Sequence, residues 1–222
     1  TFKGHNGPVI LASKSPRRKR LMESVDPTVT IKPSGFEEIP RRSEEAEVMV
    51  KRLALGKATK VASEVNEGLI LGADTVVVYQ DNVLGKPVDK EEAVSTLKIL
   101  RGKAHHVVTG IAIVDVQSGD VRTTSKSSTV IMADYTDKEI EDYVQTGKSI
   151  DKAGGYGIQD NTFRTSSTVI GCYSNVVGLP ICVVSDTLAW FGVKREFQVC
   201  GNSTEKCQLC SKIKEGHWTY LE

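Results

Sequence analysis

A carboxylate and a lysine flank a predicted hairpin near the middle of the chain. Asp74 lies inside the apolar, β-branched stretch 69–78, which is typical of a strand buried on both faces. A carboxylate in such a strand is costly to desolvate unless a cation or hydrogen-bond donors meet it. The chain then turns through Asp81 and Asn82, and the hairpin could return Lys86 to a position beside Asp74. The alternative is that Asp74 caps a loop and Lys86 is an exposed turn lysine.

A basic turn near the N-terminus is a second candidate for chemistry. The sequence SKSPRR, residues 13–18, directly follows a short apolar stretch, residues 9–12, that predicts a buried strand. Ser15 suits a helix N-cap and Pro16 the first helical position. A strand, a tight turn and a helix N-terminus together make an anion site, because free amides and the helix dipole point at the turn. The alternative is a capped helix with a solvated basic face.

A third cation lies on the apolar face of a predicted long helix. Ser43 is the expected N-cap, followed by acidic residues in the first turn. The apolar stripe, at helical spacing, includes Leu53, Ala54 and Val61, and Lys57 falls on it. A lysine on such a face usually extends back to water. The alternative is that Lys57 points into a cleft to meet a phosphate.

The elements that must carry these residues alternate between strands and helices, which predicts an α/β fold. Further helices are expected after the caps Asp89 and Thr136, the latter in a capping box, and after Pro180. Three glycines in residues 154–157 indicate either a close approach of the backbone to a flat ring or a tight corner. Besides the central hairpin, strands are expected at residues 9–12, 28–32, 105–116, 121–133 and 169–177.

Length and composition limit the function classes. The 222 residues suffice for one sizeable α/β domain or two small ones. The 29 basic and 28 acidic residues nearly cancel, so no global field favours nucleic acid or a membrane as partner. No stretch approaches the ~20 apolar residues of a membrane span, and the N-terminus lacks a signal-peptide pattern. Five cysteines, all after residue 171, favour a reducing compartment, so we expect a cytoplasmic protein.

The C-terminal residues differ in character from the rest of the chain. We therefore divide the chain into a domain at residues 1–193 and a polar, cysteine-containing extension at residues 194–222. Cys200, Cys207, Cys210 and His217 could bind zinc tetrahedrally, although their spacing is not that of a standard finger. The alternative is a loosely packed tail with free thiols.

Six motifs, in order and at compatible spacing, resemble the Maf-like nucleotide pyrophosphatases, a family related to the inosine triphosphate pyrophosphatases. They are LASKSPRR (11–18), GADTVV (72–77), GKP (85–87), HVVTG (106–110), KAGGYGIQ (152–159) and NVVGLP (175–180). The resemblance implies an elongated mixed β-sheet with flanking helices, in two lobes around a nucleotide cleft. It also implies hydrolysis of a nucleoside triphosphate to the monophosphate and pyrophosphate, with Mg²⁺ or Mn²⁺ as the divalent cation.

The resemblance also assigns roles to single positions of this sequence. Asp74 matches the family's proton acceptor, and Glu38, with Asp74, matches the metal side. The specificity positions are Arg17, Thr75 and Gln159, and their types resemble the subgroup that acts on dTTP and UTP. The phosphate-side positions are Ser13, Arg18, Lys57 and Lys86. Two features depart from the family: Glu37-Glu38 stands where Asp-Glu is commoner, and the tail has no counterpart.

The expected function is therefore that of a dTTP/UTP pyrophosphatase, a hydrolase acting on acid anhydrides, which could also act on modified pyrimidine nucleotides. The physics of the residues agrees, since phosphoryl chemistry needs a carboxylate to orient water and positioned positive charge. One alternative is a nucleotide-sensing regulator of cell division without significant turnover. Another keeps the chemistry but takes 7-methyl-GTP. The expected partner is a small nucleoside triphosphate, with a homodimer as an option.

Overall fold

The structure is a computed structural model that describes residues 7–39, 41, 43–160 and 163–193. Residues 194–222, and with them the predicted extension and its zinc site, lie outside the described residues. The strands are β1 Val9–Leu11, β2 Thr30–Ile31, β3 Leu69–Tyr79, β4 Asn82–Leu84, β5 Ala104–Asp115, β6 Val121–Met132 and β7 Ser166–Ile170. The helices are α1 Pro16–Glu23, α2 Ala46–Ala62, α3 Lys90–Leu100, α4 Asp137–Gln145, α5 Tyr173–Val177 and α6 Ile181–Trp190, with a 3₁₀ turn at Ala153–Gly155.

The strands form one mixed sheet in the order β2-β1-β3-β5-β6-β7, with β4 paired to β3. β1 runs parallel to β2 and β3, and the other pairs are antiparallel. The expected α/β fold with a mixed sheet is confirmed. No helix in the described part of the chain is long and apolar enough to cross a membrane.

One edge of β3 is left open at its centre. β1 pairs with residues 69–71 of β3, and β4 pairs with residues 77–79. Among the described strands, none pairs with residues 72–76 on that edge, whereas β5 runs along the whole other edge. Asp74 lies in the middle of this open stretch. The gap in the sheet is therefore where a ligand can reach the strand.

The alternation of side chains along β3 decides which helix meets Asp74. Leu69 and Leu71 belong to the core cluster formed with α1, α5 and α6. Ile70 instead packs with alanines of α2 on the opposite face. Asp74 is four residues after Ile70 and therefore faces the same side of the sheet, so its carboxylate points towards α2.

Two glycines let α2 lie unusually close to the sheet. A Cβ on Gly72 would lie 2.0 Å from the carbonyl oxygen of Ala54, and one on Gly110 would lie 2.4 Å from the backbone of Val50. Real Cβ atoms do not approach so closely, so only glycine permits this contact of helix backbone with strand. The close approach brings the middle of α2 level with Asp74.

Two apolar clusters build the two lobes that were expected. The first packs α1, α5 and α6 against one half of the sheet, with Leu179 and Phe191 among its members. The second packs α3, α4 and the aromatic residues Tyr156 and Phe163 against the other half. The open stretch of β3 lies between the two clusters, and Asp74 points away from both, towards α2.

Four helix starts agree with the sequence, at Pro16 and after Asp89, Thr136 and Pro180, and one does not. Pro16 begins α1, and the Ser15 hydroxyl accepts from the Arg18 amide at 3.4 Å. The predicted capping box of α4 is present as well. The prediction that Ser43 is the N-cap of α2 is wrong: Glu45 precedes the helix, without a side-chain cap. Ser43 has a φ of 55°, whereas an N-cap needs an extended backbone.

Two further predictions from the sequence need correction. The hairpin turn is formed by Gln80 and Asp81, with φ of 47° and 62°, and Asn82 already belongs to β4. Two successive positive φ values match the primed turns that fit the twist of a hairpin. The strand predicted at 169–177 ends at Ile170, and α5 follows. Gly171 has a φ of 107°, which stops the extended backbone there.

Candidate active site

The cleft between the lobes has a volume of about 1100 Å³. One wall consists of the turn before α1, residues 34–38, α2 and the open stretch of β3. The other consists of residues 148–160. Every site residue expected from the sequence contributes to its lining: Ser13, Arg17, Arg18, Glu38, Lys57, Asp74, Thr75, Lys86 and Gln159.

At the base of the cleft one ammonium holds two carboxylates. Lys57 Nζ lies 2.5 Å from Asp74 Oδ1 and 2.6 Å from Glu38 Oε1. The side chains of Lys57 and Asp74 are 9% and 8% exposed, whereas that of Glu38 is 45% exposed. Burial alone would raise the pKa of Glu38, but the charge of Lys57 and its hydrogen bond hold that pKa below its usual value. One lysine thus pairs with a buried carboxylate and a partly exposed one, which leaves one negative charge uncompensated by it.

The partner of Asp74 is therefore the helix lysine, and not the hairpin lysine considered from the sequence. The hairpin does bring Lys86 into the lining of the cleft. Among the described residues, however, no ion pair within 4 Å joins Lys86 to a carboxylate. Its charge acts on Glu38 only at longer range. Lys86 is accordingly the cation with the greater freedom to meet an anionic ligand.

Arg18 braces the backbone on both sides of Asp74. Its Nη1 donates to the carbonyl of Ala73 at 2.8 Å, and its Nη2 donates to the Thr75 hydroxyl at 2.9 Å. Its Nε donates to the carbonyl of Gly178 at 2.8 Å. Burial lowers the pKa of Arg18, and the charge of Asp74 opposes that shift. Two of these contacts fix residues 73 and 75 at the open edge of β3, and the third ties them to Gly178, a role in addition to the expected contact with phosphate.

The hydroxyl of Thr75 is already engaged within the protein. Besides the bond from Arg18, its Oγ1 lies 2.9 Å from the Oγ1 of Thr109, its partner in the register of β5. The Thr75 hydroxyl therefore helps to shape the cleft through contacts within the protein.

The turn before α1 has the form predicted for an anion site. The Ser15 amide donates to the buried hydroxyl oxygen of Ser13 at 3.2 Å. The Ser13 hydroxyl lines the cleft and can still donate its proton. The positive end of the α1 dipole points at the same place. The turn can thus take a phosphate group.

The opposite wall carries an amide without a partner. Gln159 lies in a turn closed by a hydrogen bond from the Asp160 amide to the Gly157 carbonyl, at 3.1 Å. Its Nε2 is buried and makes no hydrogen bond to any residue in the described part of the chain. Buried donors are rarely left unsatisfied, so this nitrogen is set to meet a ligand acceptor. Arg17, beside it in the lining, donates to Asp151 Oδ2 at 3.1 Å.

The sequence did not identify three residues that shape the site. Asp151 holds Arg17 across the cleft, and Thr109 buttresses Thr75. Phe36 packs its ring on Gly56, where a Cβ would lie only 2.3 Å away, and so sets the loop that carries Glu38. The sequence gives no local signal for Asp151 or Phe36. Thr109 lies in the HVVTG motif, but its partner follows only from the strand register.

The two carboxylates fit a divalent cation that is shared with substrate. Oxygens of Glu38 and Asp74 both lie within 2.6 Å of one point, now taken by the Lys57 ammonium. In the described ranges no group of three or more His, Cys, Asp or Glu side chains is placed to hold a metal ion. Mg²⁺ commonly binds through one or two carboxylates plus substrate phosphates, and these two carboxylates match that pattern.

Comparisons with known proteins agree with the geometry. A family model described as Maf-like protein matches residues 8–191. The dTTP/UTP pyrophosphatase of Desulforamulus reducens is 41% identical over 187 residues, which cover 84% of this chain and 98% of that protein. The dTTP/UTP pyrophosphatase of a Geobacillus species is 44% identical over 173 residues, covering 78% and 92%. Among solved structures, the Staphylococcus aureus Ham1 protein gives a TM-score of 0.39 at 15% identity, covering 57% of this chain and 72% of that one.

Proposed function

This chain belongs to the Maf-like protein family, and from that premise we propose that it hydrolyses dTTP and UTP to the monophosphate and pyrophosphate. The observation that carries the proposal is the position of Asp74. It is a buried carboxylate on the open stretch of β3, at the base of a cleft large enough for a nucleotide. Relatives named as pyrophosphatases favour turnover over the sensor alternative.

Asp74 would act on the attacking water. The water oxygen forms a bond to the α-phosphorus, and the bond from that phosphorus to the bridging oxygen of the β-phosphate breaks. Asp74 orients the water and accepts its proton, and pyrophosphate leaves with the bridging oxygen. Arg18 supports this step by fixing the backbone on both sides of the carboxylate.

The positive groups of the cleft would bind the triphosphate. Lys86 and the turn before α1 present a charge, a hydroxyl and a helix N-terminus to the same space. Such groups stabilise charge that develops on phosphate oxygens, provided that they are already in position. Lys57 would join them only after leaving its two carboxylates, because its ammonium is now engaged by both.

We also propose that Glu38 and Asp74 hold the divalent cation, Mg²⁺ or Mn²⁺. When bound, such a cation neutralises charge on phosphate oxygens and favours ionisation of water. The support is the convergence of the two carboxylates on one point. Lys57 compensates part of the negative charge at that point when no other cation is there.

Gln159 would read the base, and the backbone of residues 154–157, which cannot flip as the amide can, would set the direction of the match. Uracil and thymine present a 4-oxo acceptor beside a 3-NH donor, and an amide offers the reverse pair. Cytosine reverses the pattern at positions 3 and 4, so a site fixed for uracil would leave buried groups unpaired. The support is the buried Nε2 of Gln159, which has no hydrogen-bond partner among the residues that the structure describes. Arg17 and Thr75 complete the set of specificity residues.

A nucleotide panel tests the function. We expect steady-state kcat/KM, measured with Mg²⁺, to be highest for UTP and dTTP, with little discrimination at the ribose 2′ position. CTP and 7-methyl-GTP should be poor substrates. A preference for either of these two would overturn the specificity proposal, and no pyrophosphate release from any nucleoside triphosphate would overturn the enzyme itself.

A further inference from the structure

A buried histidine and tyrosine form a pair behind the base side of the cleft. His105 Nε2 lies 2.7 Å from the Tyr156 hydroxyl, and the rings meet edge to face with centroids 5.4 Å apart. Both side chains are buried. His105 stands at the start of β5, whereas Tyr156 belongs to the glycine-rich segment of the cleft wall. The pair therefore ties that segment to the central sheet.

A second tyrosine holds the adjacent residue. The Tyr143 hydroxyl, on α4, accepts a hydrogen bond from the Gly157 amide at 3.1 Å. The Gly157 carbonyl in turn accepts from the Asp160 amide and closes the turn that presents Gln159. The turn is thus held at its first residue, Gly157, by the Tyr143 hydroxyl. The residue before it, Tyr156, is anchored by the bond between its own hydroxyl and His105.

Burying His105 costs free energy that burying a residue with only a packing role would not cost. Its Nδ1 is buried and has no hydrogen-bond partner within the described ranges. An apolar side chain of similar size would avoid that unsatisfied atom. Burial lowers the pKa of His105 to about 4, so the ring is neutral and carries one proton. What the histidine gains in exchange is one directed bond to Tyr156.

We propose that His105, Tyr156 and Tyr143 are positioning residues that fix the 157–160 turn and so aim the Gln159 amide at the base. This inference deepens the proposed function, because it assumes that Gln159 reads the base. None of the three needs to touch the reacting atoms. Their effect should appear in base selection and in KM, not in the chemical step.

Three buried tyrosines of one cluster provide a matched set of variants. Tyr156→Phe and Tyr143→Phe each remove a hydroxyl that supports the turn. Tyr135→Phe removes a hydroxyl that donates to the Leu97 carbonyl at 2.9 Å, and its ring packs on Phe163 as that of Tyr143 does. Each variant deletes one buried hydrogen bond, so losses of stability should be alike.

For the two turn variants, Tyr156→Phe and Tyr143→Phe, we expect the KM for UTP to rise about five- to tenfold. This is the effect expected when one hydrogen bond that positions Gln159 is lost. The preference for UTP over CTP should narrow by a similar factor, while kcat stays within about twofold. Tyr135→Phe should keep the wild-type KM and preference. If the turn variants lower Tm as Tyr135→Phe does, but keep the wild-type KM and the wild-type preference for UTP over CTP, the proposal is overturned.

A measurement without nucleotide separates this inference from the proposed function. The side-chain NH₂ resonance of Gln159, identified by its loss in Gln159→Glu, should shift in Tyr156→Phe, Tyr143→Phe and His105→Phe. It should not move in Tyr135→Phe. A resonance unchanged in Tyr156→Phe and Tyr143→Phe would overturn the positioning role. Absence of UTP hydrolysis by the wild-type protein would instead overturn the proposed function.

Discussion

The two sides of the cleft are built in opposite ways. The catalytic wall, formed by Arg18, Glu38, Lys57 and Asp74, draws on α1, α2, β3 and the loop before α2, and its charged groups already have partners within the protein. The base wall, residues 153–160, is a glycine-rich segment without a strand or α-helix of its own. It is held by hydroxyl groups and presents an amide nitrogen that has no partner.

The difference indicates how each wall meets a ligand. A group that is already paired must exchange its partner, so we expect the ion pairs of the catalytic wall to rearrange when triphosphate and cation bind. An unpartnered donor in a fixed turn loses nothing on binding a matching base, but an unmatched base leaves it unsatisfied. Chemistry should therefore depend on the catalytic wall, and choice of base on the base wall. The predictions below test that division.

The largest effect is expected from Asp74→Asn. The amide can still accept from Lys57, so the fold and nucleotide binding should persist, but it cannot accept a proton from water. Because general base catalysis contributes ~10²–10⁴-fold, kcat should fall by at least that range. Asp26→Asn is the matched control, since Asp26 is buried and hydrogen-bonded to Thr28 within its own loop. Pyrophosphate release from UTP by Asp74→Asn within a few-fold of wild type would exclude Asp74 as the base.

A smaller effect is expected from the two cleft lysines. Lys57→Ala and Lys86→Ala should each weaken binding of a non-hydrolysable UTP analogue by about 10- to 100-fold, as for loss of a charged hydrogen bond. Binding of UMP should weaken much less. Calorimetric titration of both ligands is the measurement.

The two lysine variants should also differ in thermal stability. Lys57→Ala leaves Asp74 and Glu38 without their counter-ion, whereas Lys86→Ala breaks no ion pair among the described residues. Added Mn²⁺ should therefore raise the Tm of Lys57→Ala more than that of Lys86→Ala. In the calorimetric titration, Lys57→Ala and Lys86→Ala could instead weaken binding of the UTP analogue and of UMP equally. That result would mean that the lysines act through folding or through the overall electrostatic field of the cleft, and not on the triphosphate.

How much of the site could be predicted from the sequence also differs between the walls. Asp74 was identifiable because a carboxylate in an apolar strand is costly, and Lys57 because it falls on an apolar stripe. That these two meet, however, depends on Gly72 and Gly110 letting α2 approach the sheet, which is a tertiary contact. Local pattern therefore favoured Lys86 as the partner of Asp74.

The base wall was less accessible to sequence reasoning. Its glycines indicated a close approach, and the resemblance named Gln159. The side chains that hold the turn come from α4 and β5. The sequence separation is 14 residues for Tyr143 and Gly157 and 51 residues for His105 and Tyr156. No local spacing relates such residues, because only the sheet and helix packing bring them together.

The smallest effect concerns the histidine behind the base wall. The ordinary pKa of histidine is 6.5, whereas burial lowers that of His105 to about 4. Between these values the unfolded chain binds a proton that the folded chain does not, so the free energy of unfolding falls as the pH falls. The contribution is at most ~1.4 kcal/mol per pH unit. Urea denaturation across this window should show a shallower decline for His105→Phe than for wild type. Parallel curves would show that His105 is not held neutral in the fold.

The division between the walls is tested most directly by the ratio of kcat/KM for UTP to that for CTP in Gln159→Glu and Lys86→Ala. An ionised carboxylate at position 159 can accept from the 3-NH of uracil but cannot donate to its 4-oxo group. The account predicts that Gln159→Glu lowers activity on UTP and brings the ratio towards one. Lys86→Ala should lower both activities and leave the ratio unchanged. A wild-type ratio in Gln159→Glu, or a changed ratio in Lys86→Ala, would contradict the account.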